Sequence, residues 1–289
     1  MVNGQPRPDF FIAGAARCGT TSLYLYLKQH PEIYVSPLKE PHFFARDLTK
    51  PPQGIHDEKA YLDLFADARD EKRRGEASVW YLISPAAPRE IAAFSPGARI
   101  ILMLRNPVDM LYSLWSLYLR TGNEDLTDFT AAVDAAADRR AGKRIPATTY
   151  FPEGLQYPDV GRYSEKVARW LRTFGAGRIK VILFEDFSRR TPEVYRETLE
   201  FLEVDPTFVP EYDLAKGTLA VRNQALKQLR RVPPEVLAQM RGTGRRHTIA
   251  EHRPYPPELK ERLRRELASD VEALAALIGR DLTHWTRDA

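Results

Sequence analysis

One cysteine, Cys18, occurs in 289 residues, which excludes a disulfide framework and a cysteine-built metal site. No apolar run approaches the ~20 residues that span a bilayer. The opening MVNGQPRPD lacks the apolar centre of a signal peptide, so the expectation is a cytoplasmic protein. No His, Asp or Glu cluster stands at metal-ligand spacing, and the expected metal is none. The excess of one sign of charge is small: a net +4 with a pI of about 9.1 suits an anionic ligand but does not argue for nucleic acid. Internal repeats and low-complexity tracts are absent. The 43% hydrophobic and 28% charged residues are those of a globular protein large enough for one α/β domain or two small ones.

Against these absences stands Asp9–His30, DFFIAGAARCGTTSLYLYLKQH. The apolar run Phe10–Ile12 breaks at Gly14. Gly19 comes five residues later, then Thr20, Thr21, Ser22 and leucines and tyrosines at helical spacing. A strand, a glycine-bounded loop and a helix start form an anion cradle, because first-turn N–H groups and the positive end of the helix dipole face the loop. The spacing resembles G-x-x-x-x-G-K-[ST], but the lysine position holds Thr20. That lysine reaches the β- and γ-phosphates of a triphosphate; here the cation is Arg17. The loop therefore suits a phosphate group outside triphosphate chemistry; the plainer alternative is a strand-to-helix turn with a glycine at each end. Cys18 sits where a thiolate is stabilised, yet a C-x5-R phosphatase loop is excluded by Tyr24. Cys18 reads better as a small loop-filling residue.

Pro31 stops the first helix and Ile33–Val35 begins a short extended run. SPLKEPHFF, 36–44, is a loop carrying Lys39, Glu40 and His42 beside Phe43 and Phe44. Residues 57–66 predict a short amphipathic helix, and GEASVWY, 75–81, a strand. Arg99–Leu104 is continuously apolar after its first residue, as suits a parallel strand covered on both faces. Asn106 as N-cap and Pro107 at the first helical position launch a helix over 107–120. A Walker B strand would end in an aspartate for magnesium; this one ends in Arg105. Residues 121–160 read as an insertion over one face, with a helix at 126–140. Tyr163, Val167, Trp170, Leu171 and Phe174 mark a helix closed by Gly175. RIKVILF, 178–184, is a second buried strand, and Thr191-Pro192 opens a helix to about Leu202. Two basic stretches come next, 222–231 and 241–253. In the second, Gly242 and Gly244 lie among Arg241, Arg245 and Arg246, which makes an anion clamp or a basic linker. Leu259, Leu263, Leu267, Val271, Leu274 and Ile278 then line one stripe of a helix over 257–278.

Four stretches together resemble the 3′-phosphoadenosine 5′-phosphosulfate (PAPS)-dependent sulfotransferases, in particular the heparan-sulfate sulfotransferase-like branch and its bacterial relatives. GAARCGTTSLYLYLKQHP (14–31) looks like the 5′-phosphosulfate loop. KEPHFF (39–44) is similar to the segment with the catalytic glutamate. LRNPVDMLYS (104–113) looks like the 3′-phosphate element, and 253–285 resembles the closing stretch. The resemblance implies a single domain over 1–289, a P-loop-like three-layer α/β fold with helices on both faces of a parallel sheet, and a basic lid region at 222–256.

It further implies that Ala16, Arg17, Cys18, Gly19, Thr20, Thr21 and Ser22 hold the 5′-phosphate end, and that Arg105 and Ser113 grip the 3′-phosphate. Arg245 and Arg246 would cover the nucleotide. Glu40 would be the general base, with His42 its rival, and Arg17 would stand where the family commonly has a catalytic lysine. Arginine keeps the charge there but changes its geometry. Ala77 stands where the animal heparan enzymes have a lysine. The donor would be PAPS, the product adenosine 3′,5′-bisphosphate, and the acceptor a hydroxyl or amine of a small molecule or glycan. Apolar Phe43 and Phe44 suggest a raised pKa for Glu40, as a base needs. A P-loop kinase of small molecules and a basic nucleic-acid-binding module are the rival readings. No acceptor is named by these residues.

Overall fold

In the computed structural model, which describes residues 7–48, 54–212 and 255–287, the apolar runs become strands of one sheet. They are β1 (Phe10–Gly14), β2 (Ile33–Val35), β3 (Arg73–Ala77), β4 (Arg99–Leu104) and β5 (Ile179–Leu183). All pair in parallel, in the order β2-β3-β1-β4-β5. Every residue of β1 and all but the first of β4 are buried, so both faces of the sheet centre are covered, as a parallel sheet requires. The expected α/β architecture, a parallel sheet with helices around it, is the one adopted.

The described residues fall into two compact units. The first, 7–46, 54–104 and 170–212, holds the whole sheet together with helix α1 (Thr20–Leu27) and the helices Ala87–Phe94 and Thr191–Leu202. Phe10, Phe11 and Ile12 of β1 are fully buried, as are Ile100 to Leu104 of β4. Two expectations shift here. The predicted strand 75–81 ends at Ala77, and Val79–Leu82 forms a single 3-10 turn. Its residues are all buried, so apolar character alone did not separate strand from turn. The predicted helix at 57–66 is shorter, Glu58–Asp63, with the Asp57 carboxylate accepting the Ala60 N–H at 2.8 Å.

The second unit holds 47–48, 105–169 and 255–287. Asn106 caps the helix Pro107–Thr121 as expected, its side chain accepting the Val108 N–H at 3.1 Å. The predicted helix 126–140 is two short ones, Phe129–Asp134 and Ala136–Arg140, divided at Ala135. The first starts late because Asp128 supplies the N-cap. The helix Pro257–Ile278 has the predicted bounds, and its Asp270 accepts the N–H groups of Tyr163 and Ser164, starting the helix Ser164–Phe174.

The segment read as an irregular insertion is organised by a buried ion pair. The Arg139 guanidinium and the Glu124 carboxylate are both wholly buried and 2.7 Å apart. Arg139 also donates to the carbonyls of Ala132 and Leu155, and Glu124 accepts from Tyr157 and from the N–H groups of Asp125 and Leu126. A buried charge so fully bonded is costly to orphan. Arg139→Ala is expected to lower stability in urea denaturation by about 3–5 kcal/mol; a loss under about 1 kcal/mol would show that the pair does not organise this segment.

Candidate functional site

Between β1 and α1 the chain turns on two glycines that no other residue replaces easily. Gly14 has φ 152°, and a Cβ there would lie 2.5 Å from the Leu82 Cβ. Gly19, φ 86°, is the N-cap of α1 and offers no side chain to cap it. A side chain at Gly19 would press on Phe184, Phe187 and Met103. No acidic residue stands in the first turn of α1, so its positive end is not offset from within. Arg17, φ 64°, and Thr21 are exposed at this turn, Ser22 is half-buried, and Thr20 and Ala16 are buried. Cys18 is buried and donates its thiol to the Ala16 carbonyl at 3.3 Å, in keeping with a loop-filling role.

The segment Lys39–Phe44 lies at the end of β3, the strand beside β1: the Glu40 N–H bonds the Ala77 carbonyl at 2.8 Å. The loop after β1 and the Glu40 segment, which follows β2 and bonds the end of β3, thus share the carboxyl-terminal edge of the sheet, where open α/β folds bind ligands. Lys39 forms an ion pair and hydrogen bond with one Glu40 oxygen, and the His42 Nε2 lies 3.3 Å from the other. The Glu40 side chain is 32% exposed. Partial burial by itself would raise its pKa, but the Lys39 charge, the His42 hydrogen bond and charge, and the Lys39 hydrogen bond overcome it and hold the pKa at about 2. The raised pKa expected from Phe43 and Phe44 is therefore corrected. Those rings are taken up by the core, Phe43 stacked on Tyr61 at 4.3 Å and Phe44 edge-on to Phe11 and Phe94.

A second carboxylate, which sequence reasoning passed over, has the opposite character. Glu76, on β3, is wholly buried. Its Oε1 accepts from the Tyr81 hydroxyl at 2.6 Å and the Tyr61 hydroxyl at 3.2 Å, and its Oε2 from the Ser78 hydroxyl at 2.7 Å. Burial raises its pKa to about 7, against the lowering effect of the hydroxyls from Tyr81, Ser78 and Tyr61; the charge of Glu40 adds to the rise. Glu40 and His42 both have left-handed backbones, φ 66° and 53°, a conformation that non-glycine residues hold only where surrounding contacts impose it.

Arg105 directly follows β4 and Ser113 lies within the helix Pro107–Thr121; both are half-buried. They belong to the second unit, whereas Arg17, Glu40 and His42 belong to the first. Arg245 and Arg246, with the whole clamp at 241–253, lie outside the described residues. No helix among the described residues is long and apolar enough to cross a membrane.

Comparison with known proteins gives this geometry a context. The sulfotransferase domain family matches residues 7–231. The crystal structure of a sulfotransferase from Alicyclobacillus acidocaldarius is 34% identical with a TM-score of 0.78, covering 98% of this chain and 100% of that one. Human carbohydrate sulfotransferase 15 is 29% identical over 251 residues, 69% of this chain and 44% of that protein. Mouse bifunctional heparan sulfate N-deacetylase/N-sulfotransferase 4 is 28% identical over 214 residues, 70% of this chain and 23% of that protein. The chain thus matches less than half the length of these two curated relatives.

The two carboxylates predict opposite pH dependences of stability. An ordinary glutamate titrates near 4.5 and Glu76 in the fold near 7, so between these values the folded protein holds the extra proton. Its contribution is present below about pH 4.5 and is lost as pH rises through 7, by up to about 3 kcal/mol. Glu40 contributes above pH 4.5 and loses that contribution as pH falls through about 2. Urea midpoints measured from pH 5 to 8 should therefore fall more steeply in the wild type than in Glu76→Gln. Parallel curves would contradict the burial-raised pKa.

Proposed function

The chain belongs to the sulfotransferase family, and on that premise we propose that it moves a sulfuryl group from PAPS to a hydroxyl of a carbohydrate-class or other small acceptor. The observation that carries this reading is Glu40. It is an ionised carboxylate, set between Lys39 and His42, at the sheet edge shared with the phosphate-type loop. In this proposal Ala16–Ser22 hold the 5′-phosphate end through N–H groups and hydroxyls. Arg17 meets the negative charge that grows on the bridging oxygen as its bond to sulfur breaks. Arg105 and Ser113 grip the 3′-phosphate, and Arg245 and Arg246 cover the nucleotide; these four assignments rest on sequence. The charge-stabilising groups are side chains and N–H donors, so we propose transfer without a metal, and a cytoplasmic setting from the scarcity of cysteine.

The low pKa of Glu40 bears on the acceptor. A carboxylate with pKa near 2 is too weak to deprotonate an alcohol or an alkylammonium at rest. It is strong enough for a hydroxyl already bonding to sulfur, because that oxygen becomes a strong acid as the bond forms. An amine must lose its proton before it attacks, so a hydroxyl fits this base better. Carbohydrate acceptors enter through the name of the human relative. Ala77, fully buried, marks one departure from the heparan enzymes at this edge. The kinase reading lacks both the loop lysine and the acid after β4, and the nucleic-acid reading gains no support.

Two measurements test the proposal. The protein should bind adenosine 3′,5′-bisphosphate in the presence of a chelator, and loss of the 3′-phosphate should cost roughly 3 kcal/mol, since two charge-assisted contacts go with it. Equal affinity for adenosine 5′-phosphate in calorimetry would remove the 3′-phosphate assignment. Separately, Glu40→Gln should leave nucleotide binding nearly intact and lower kcat by about 100-fold or more. Wild-type turnover in that variant, with loss of turnover in His42→Ala, would make His42 the base.

A further inference from the structure

Glu76 touches neither Glu40 nor His42 through a hydrogen bond of its own side chain, yet its bonds lead to the loop that carries them. The Ser78 hydroxyl, which donates to Glu76, accepts the N–H of His42 at 3.1 Å. The Tyr81 hydroxyl, which also donates to Glu76, accepts the N–H of Phe44 at 3.3 Å. Each hydroxyl has one proton to give. While Glu76 takes both protons, each hydroxyl oxygen is turned to accept an amide, and the loop is bonded at two places either side of Phe43.

We propose that Glu76 is a positioning residue for the transfer reaction: as an acceptor-only carboxylate it aims the Ser78 and Tyr81 hydroxyls, which hold the His42 and Phe44 amides and so fix the loop bearing Glu40. This rests on the assignment of Glu40 as base. A neutral group at position 76, protonated glutamate or glutamine, must itself donate to one of its three hydroxyl partners. That hydroxyl then loses its proton acceptor, or turns its own proton toward the amide it should receive. The left-handed residues Glu40 and His42 need such external bonds, so their placement is the first thing lost.

The groups facing Glu76 come from three elements. Tyr61 comes from the helix Glu58–Asp63, Ser78 and Tyr81 from the end of β3 and the turn after it, and Glu40, with its partners Lys39 and His42, from the loop. The tyrosine pKa values are pushed up by burial and by Glu76 itself, so both stay protonated donors. Burial holds the Glu76 pKa at about 7. Ionisation of this one side chain therefore links loop order to pH across neutrality.

The experiment compares wild type with Glu76→Gln in the full chain by three readouts: calorimetric affinity for adenosine 3′,5′-bisphosphate, hydrogen exchange at the His42 and Phe44 amides, and kcat from pH 6 to 8. Affinity should stay within about threefold, both amides should exchange about tenfold faster while β1 and β4 amides do not, and kcat should fall about tenfold or more. The wild-type kcat should rise with pH through about 7, and that rise should vanish in the variant. Ser78→Ala, which removes the His42 acceptor and one of the three hydroxyls bonded to Glu76 but leaves the Tyr81–Phe44 link, should show the same effects more weakly, and should reduce the further effect of Glu76→Gln when the two are combined. If Glu76→Gln fails to bind nucleotide, Ser78→Ala and Tyr81→Phe decide by the same exchange and kcat readouts. Unchanged exchange at both amides, unchanged kcat, or a retained rise with pH overturns the proposal. A harmless Glu40→Gln alongside a slow, loosened Glu76→Gln would remove the base assignment and leave the positioning role standing.

Discussion

A parallel sheet whose central strands are buried on both faces has nowhere to put polar chemistry except its ends. That constraint governs the first unit. All five residues of β1 are buried, so the chain can meet an anion only after Gly14. Similarly, the Glu40 segment, which leaves β2 after Val35, meets β3 only at its end, where the Glu40 N–H bonds the Ala77 carbonyl. Parallel pairing sets the ends of β1 and β3 side by side at one edge. The helix after β1 must begin there, and its N-terminus necessarily points at the same edge. The phosphate-type loop and the Glu40 loop are neighbours because β3, whose end bonds Glu40, pairs with β1.

Much of this was legible in the chain because it depends on local spacing. Gly14 and Gly19, five residues apart, marked a tight exit and a helix start. The structure gives the physical reason in the Leu82 clash at one and the crowding by Phe184 and Phe187 at the other. The stripe from Leu259 to Ile278 gave the long helix to the residue, since an amphipathic period over six turns leaves little ambiguity. Shorter apolar runs did not discriminate: Val79–Leu82 is as buried as a strand but turns, because the chain leaves the sheet at Ser78, whose hydroxyl bonds the Glu40 loop. Within 126–140 the divide at Ala135 and the Arg139–Glu124 pair were out of reach, since that pair joins residues 15 apart whose charges look solvated in a linear reading.

Glu40 illustrates the same limit in electrostatics. Neighbouring phenylalanines in KEPHFF suggested an apolar setting for Glu40, but neighbours in sequence are not neighbours in dielectric. Phe43 and Phe44 are drawn into a cluster with Tyr61, Phe94 and Phe11, leaving Glu40 to the charges of Lys39 and His42. Glu76 was overlooked because nothing local marks it. Its partners arrive from 15 residues before and 5 after, and only the folded chain assembles them.

In the proposed reaction the two carboxylates divide two tasks that one could not perform. A group that receives a proton from a hydroxyl at the moment of transfer must be ionised beforehand, and a cation beside it secures that at any ordinary pH. A group that holds hydroxyl protons in fixed directions must be dry, because water would compete for the same bonds. Drying a carboxylate raises its pKa toward neutrality, so the anion proposed to order the loop is also the one that weakens the fold as it forms. Placing the structural anion next to Glu40 deepens that tension, since like charges repel. The Lys39 ammonium relieves it at the Glu40 end by compensating one of the two charges. Removing Lys39 would therefore leave the Glu40 charge uncompensated beside Glu76, which ties this lysine to the buried network as well as to half-buried Glu40.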